Sequence, residues 1–136
     1  MQKLTFSFSM ANSRIYVHSS VKTAFIEQFR RLASSRSLGD PTKTEVNHGP
    51  QADKTQYETV QRYIKLGKSD TEAPTQTTES ANEPLFVEPV IFIDQPEDSQ
   101  VVKEEIFGPV VVINTFETEE EVIQKANDTE FGLYAA

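Results

Sequence analysis

Four β-branched residues in a row, Val110-Val111-Val112-Ile113, follow directly on Gly108-Pro109. A run with no polar alternation makes a stable strand when both of its faces are buried, as in a parallel sheet covered by helices. Gly and Pro punctuate the backbone just ahead of it. Glu104, Glu105 and Phe107 therefore stand at the mouth of a strand, tied to a rigid scaffold.

The rest of the chain supplies the elements such a sheet needs. In residues 1–12, Leu4, Phe6 and Phe8 alternate with polar residues, which suits an edge strand or a disordered terminus. Ser13 to His18 is the next strand, with Ile15 and Val17 on one face. Ser19 or Ser20 is placed to cap a long helix running to about Ser35. Val21, Ala24, Phe25, Phe29, Leu32 and Ala33 form its apolar stripe, and Glu27, Arg30 and Arg31 its wet face. A turn at Leu38-Gly39-Asp40-Pro41 and a polar loop to Gly49-Pro50-Gln51 lead to a second helix. Asp53 is its expected N-cap, Gln56 completes a capping box, Tyr57, Val60, Tyr63 and Ile64 face inward, and Gly67 is the expected stop. Residues 71–83 hold no large apolar side chain to offset the entropy of ordering, so they read as a mobile loop.

Leu85 to Ile93 is a strand interrupted at Pro89, implying an edge, bulge or kink there. Asp94 to Asp98 turns the chain, and Ser99 to Glu105 fits a short helical turn. Thr118 and Glu121 have capping-box spacing for a third helix, with Glu119 and Glu120 at the positive end of its dipole and Val122, Ile123 and Ala126 inward. Phe131 to Ala136 resembles the start of another strand. Alternating strands and helices indicate an α/β fold with a mainly parallel sheet flanked by helices.

Composition removes several function classes. A chain of 136 residues builds one core more readily than two. The formal net charge of −8 argues against nucleic acid and against an anionic membrane surface. There is no cysteine, hence no disulfide, thiolate nucleophile or thiolate metal site. His18 and His48 fall on different elements with no ligand spacing, so no metal site is expected. No apolar run reaches membrane-span length, and Met1 to Met10 lacks the features of a leader peptide. Cytoplasm is the expected compartment.

The stretch Lys103-Glu104-Glu105-Ile106-Phe107-Gly108-Pro109-Val110 closely resembles a signature of the NAD(P)-dependent aldehyde dehydrogenases. Ser13 to His18, Leu38 to Pro41, Gly49-Pro50-Gln51, Phe86 to Pro89 with Ile91-Phe92, and Asn127 to Leu133 are similar to further family segments in order and spacing. The resemblance runs from about Ser13 to Ala136 and corresponds to an internal piece of the family's catalytic domain, roughly a quarter of a member. Residues 1–12 stand outside it as a divergent segment, and 71–84 depart from the family pattern.

The resemblance implies an oxidoreductase by descent that oxidises an aldehyde to an acid with NAD or NADP as cofactor. It assigns cofactor contacts to Glu105, which would hold the nicotinamide ribose, to Phe107 beside the nicotinamide ring, and to Gln51 and Lys54, which reach toward the ribose. Family chemistry requires a thiolate to attack the carbonyl. With no cysteine among its residues, this chain has no catalytic residue to assign and is expected to be inactive alone. The partners implied are an aldehyde substrate and homo- or hetero-oligomers. The alternative expectation is a non-catalytic interaction protein that associates with a full-length relative.

Overall fold

The structure is a computed structural model and describes residues 12–70 and 85–132, apart from the side chains of 68–70. The expected strand within 1–12, the loop at 71–83 and most of the expected terminal strand lie outside those residues.

Three parallel strands form the sheet: β1 (Arg14–His18), β2 (Val90–Ile93) and β3 (Val110–Phe116), in the order β1-β3-β2. The β-branched run occupies the centre, pairing Arg14 with Val112 on one side and Val90 with Val110 on the other. Its alternate residues serve two cores. Val110 and Val112 face Val60, Tyr63, Ile64 and Phe92, whereas Ile113 faces Val17, Ile26 and Ile91, with Val111 packed beside them. The strand continues beyond Ile113 to Phe116, because β1 remains paired with it to His18.

Helix α1 (Lys22–Ser34) covers one face. Ile26 is buried, and Phe25, Phe29 and Ala33 pack half-buried against the same core. Two of the expected inward residues face out instead, Val21 at 53% and Leu32 at 57% exposure, and Ala24 is exposed as well. The expected serine cap is also replaced. A 3-10 turn at Ser19–Val21 precedes the helix, and His18 Nδ1 accepts the Ser20 N–H at 3.2 Å.

Helix α2 (Lys54–Asp70) covers the other face, with short helix α3 (Gln100–Lys103) beside it. Val60, Tyr63 and Ile64 are buried as their spacing indicates. Gly67 does not stop α2. It is an interior residue at which a Cβ would come within 2.3 Å of the Phe92 ring. The strand expected from Leu85 shortens to β2, beginning directly after Pro89, whose ring removes a ladder donor.

Helix α4 (Glu119–Asn127) starts where the capping box places it, with Thr118 Oγ1 accepting the Glu121 N–H at 3.2 Å. The Glu121 carboxylate closes back on the Glu117 N–H at 2.9 Å. Ile123 and Ala126, expected inward, are exposed.

A buried polar cluster joins the end of β3 to the turn after β2. Asn114 Nδ2 donates to Gln95 O at 2.8 Å and to Glu97 Oε1 at 2.9 Å, while Asn114 Oδ1 accepts the Gln95 N–H at 2.9 Å. Tyr16 donates its hydroxyl to Glu97 Oε2 at 2.9 Å. Burial first and the Glu97 carboxylate second push the Tyr16 phenol up to about 12.

His48 lies in the polar loop after α1 and is only 5% exposed. Burial pulls its imidazole below the ordinary value of 6.5 despite a backbone hydrogen bond at Val87. The unfolded chain therefore takes up a proton near pH 6.5 that the folded chain refuses, and stability falls as pH drops below that value. The slope contributed by this one group is at most about 1.4 kcal/mol per pH unit. Urea titrations at successive pH values below 6.5 should show it in the unsubstituted chain and a shallower dependence in His48→Gln.

Candidate functional site

The start of α2 meets the loop that enters β3. Asp53 Oδ1 accepts the Gln56 N–H at 2.8 Å, the expected N-cap. The Gln56 side chain does not complete the capping box. Its Nε2 donates across to Ile106 O at 3.0 Å and Phe107 O at 2.8 Å. This crossing joins the first turn of α2 to the loop that enters β3. Of the four residues expected to contact a cofactor, Gln51 and Lys54 belong to the approach and first turn of α2, and Glu105 and Phe107 to the loop that Gln56 grips.

The four are held differently. Gln51 is buried, and its backbone N–H donates to Leu85 O at 2.7 Å. Lys54 is exposed and pairs with Glu58 at 3.6 Å, an i,i+4 surface pair worth a few tenths of a kcal/mol at most. The adjacent carboxylates part company. Glu104 accepts the Tyr63 hydroxyl at 2.5 Å, and the phenol is raised by its burial first and by this carboxylate second. Glu105 is exposed, and its carboxylate makes no hydrogen bond or ion pair with another described residue.

Phe107 sits at φ 54, in the left-handed region, with 39% of its surface exposed. That region costs a residue with a Cβ roughly 1–2 kcal/mol. The surroundings over-determine it: Ile106 is buried before it, and Gly108 follows, lying so close to Val60 that a Cβ would approach its Cγ2 to 2.5 Å. Beyond, the Val90 N–H donates to Pro109 O at 2.8 Å and fixes the loop to the start of the sheet.

A free carboxylate can accept two hydroxyl groups at once, which suits a vicinal diol. A half-exposed aromatic beside it offers a flat apolar face, and Lys54 a cation. Among the described residues no group of three or more His, Asp or Glu side chains could hold a metal ion. An open groove is lined, among the described residues, by Tyr57, Glu58, Gln61, Arg62, Lys65 and Leu66 of α2 and by none of the four. The sequence reading missed Gln56 as a bridge and Tyr63 as the partner of Glu104. The only signal at Gln56 was its capping-box spacing, which pointed to a local role.

Comparison with known proteins returns one answer. The model of the aldehyde dehydrogenase family matches residues 8–136, starting somewhat upstream of Ser13. An aldehyde dehydrogenase of Davidiella tassiana is 39% identical over 128 residues, covering 93% of this chain and 26% of the relative. The omega-crystallin of Nototodarus sloanii is 35% identical over 127 residues, again covering 93% of this chain and 26% of the relative. Among solved structures, an NAD+ complex of aldehyde dehydrogenase from Bacillus cereus superimposes with a TM-score of 0.83 at 38% identity, covering 89% of this chain and 25% of that one. Betaine aldehyde dehydrogenase from Staphylococcus aureus in complex with NAD+ gives a TM-score of 0.86 at 28% identity, covering 95% and 27%. The chain thus spans about a quarter of the length of these relatives. Sequence, parallel-sheet architecture and family match agree, and the chain belongs to the aldehyde dehydrogenase family.

Proposed function

We propose that this chain carries the portion of an NAD(P)-dependent aldehyde dehydrogenase that holds the nicotinamide ribose, in an enzyme that oxidises an aldehyde to an acid. The observation that carries the reading is the combination of Glu105, whose carboxylate has no partner among the described residues, with a half-exposed Phe107 held at φ 54. Residues held in sparsely populated backbone regions cluster at active sites and ligand clamps. The donor set fits the cofactor: Glu105 accepts the two ribose hydroxyls, Phe107 packs its ring against the nicotinamide, and Lys54 and Gln51 flank the sugar. The cofactor, when bound, supplies the hydride acceptor. The chain's own residues bind and orient it. Turnover also requires a thiolate, and these 136 residues contain no cysteine; the polypeptide alone does not oxidise aldehydes.

Glu105→Gln tests the assignment. It keeps size and shape but removes the charge and one acceptor, and hydrogen bonds to a charged group contribute about 1.5–3 kcal/mol. Calorimetric titration with NAD+ should show affinity lowered about tenfold or more, with folding unchanged because the Glu105 carboxylate makes no hydrogen bond or ion pair with another described residue. Equal affinities in the two proteins would contradict the role.

A second reading, a non-catalytic chain that associates with a full-length relative, is favoured by the exposure of Val21, Leu32, Ile123 and Phe131, each above half. The same titration separates the two, since a chain serving only as a docking surface binds no dinucleotide.

A further inference from the structure

We infer that Gln56 is a positioning residue for the cofactor site, holding Phe107 in its left-handed conformation through two hydrogen bonds from one amide group. The inference rests on the cofactor-binding role proposed for the Glu105–Phe107 loop and identifies the residue that gives the loop its shape.

An amide NH2 has two hydrogens and can serve two acceptors only when both lie in its plane at suitable separation. Ile106 O and Phe107 O are consecutive carbonyls, reached at 3.0 and 2.8 Å. In an extended strand successive carbonyls point to opposite sides, so one planar group could not reach both. The left-handed residue between them turns the second carbonyl toward the first. The two bonds therefore select the turned conformation over the extended one, which Phe107 would otherwise prefer.

Gln56 is itself prepared for this. Asp53 caps its backbone N–H, so its side chain leaves a fixed first turn of α2. One helical turn on, Val60 is fully buried beneath Gly108 and sets the height at which the loop crosses the helix. Packing against Val60 fixes the position of the loop; Gln56 fixes the direction of the Ile106 and Phe107 carbonyls and hence the turn at Phe107. Both side-chain bonds of Gln56 end on backbone carbonyls, so it acts on the site through the backbone.

The conformation can be read independently of any ligand. Gln56→Glu keeps the length of the side chain, removes both donors and sets a carboxylate against two carbonyl oxygens. Gln56→Met removes the donors without adding charge and remains informative should the charged variant fold poorly. In the full 136-residue chain, labelled for NMR, the HN–Hα coupling and the Cα and Cβ shifts of Phe107 report left-handed against extended backbone. We expect both variants to move these values toward the extended range, with the amide shifts of the β1-β3-β2 sheet unchanged. NAD+ affinity should then fall about tenfold, the reduction expected when the competent turn is populated about a tenth of the time. Unchanged Phe107 coupling and shifts in both variants would overturn the inference. If the unsubstituted chain bound no NAD+, the proposed cofactor role would fail, and the Phe107 coupling alone would decide whether Gln56 shapes the loop.

Discussion

Gly67→Ala should lower the stability of the folded chain by up to about 2 kcal/mol, with the sign opposite to that given by helix propensity. In an exposed helix interior the same change would gain about 1 kcal/mol, because alanine loses less backbone entropy on folding. Here the added Cβ meets three atoms of the Phe92 ring at 2.3, 2.5 and 2.7 Å. Phe92 is 1% exposed and packed among Val60, Ile64, Val90 and Val112, so its ring has no room to withdraw. Overpacking of this kind costs roughly 1–3 kcal/mol and occasionally more, which outweighs the propensity gain. Urea unfolding measures the loss directly. Phe92→Leu in the same background supplies the control. Alone it leaves a void and costs stability; combined with Gly67→Ala it should recover part of the loss, the non-additivity expected of two packed neighbours. A Gly67→Ala chain as stable as the original would mean that α2 does not lie this close to β2.

Asn114→Ala should be comparably damaging, by about 3 kcal/mol, for an unrelated reason. The side chain is 4% exposed and satisfies Gln95 on both its N–H and its carbonyl, as well as one oxygen of Glu97. Truncation leaves these groups buried without their partner, and each orphaned polar group costs about 1–3 kcal/mol. Glu97 keeps the Tyr16 hydroxyl at 2.9 Å and Lys125 at 3.8 Å, which limits its share of the loss. Thermal unfolding should show a fall of about 10 °C. A shift of a degree or two would indicate that water takes over the bonds of Asn114 and that the cluster contributes little. The Glu105→Gln substitution, by contrast, should leave the melting temperature where it was.

The sequence made some of these features legible and hid others for definable reasons. The central strand was readable because Val110 to Ile113 allows no half-exposed arrangement, and the structure pairs it on both sides. The caps at Asp53 and Thr118 were readable because a cap is a local contact between residues three apart. The facing of α1 was not. Periodicity defines a stripe but not which sector of it meets the sheet, and in the structure Ile26 faces in and Leu32 faces out. Gly67 was misread because a glycine near the end of an apolar pattern looks the same whether it stops a helix or admits an aromatic ring. Gln56 was misread in the same way: its expected partner was local, and its actual partners lie in a loop far along the chain.

At the candidate site, residue chemistry alone gave Glu105 and Phe107 no special standing beyond their place before Gly108-Pro109. Resemblance to the family singled them out, along with Gln51 and Lys54. The structure adds why they differ from their neighbours. Glu104 is occupied by Tyr63, Glu105 has no such partner among the described residues, and Phe107 is kept in a conformation that its own backbone preference opposes.

The measurement that bears most directly on the central claim is a residue-resolved NMR titration of the 136-residue chain with NAD+. The cofactor-site assignment predicts shifts centred on Glu105 and Phe107, reaching Gln51 and Lys54, with the α1 face silent. Shifts centred elsewhere, or none at cofactor concentrations that saturate an intact aldehyde dehydrogenase, would contradict it.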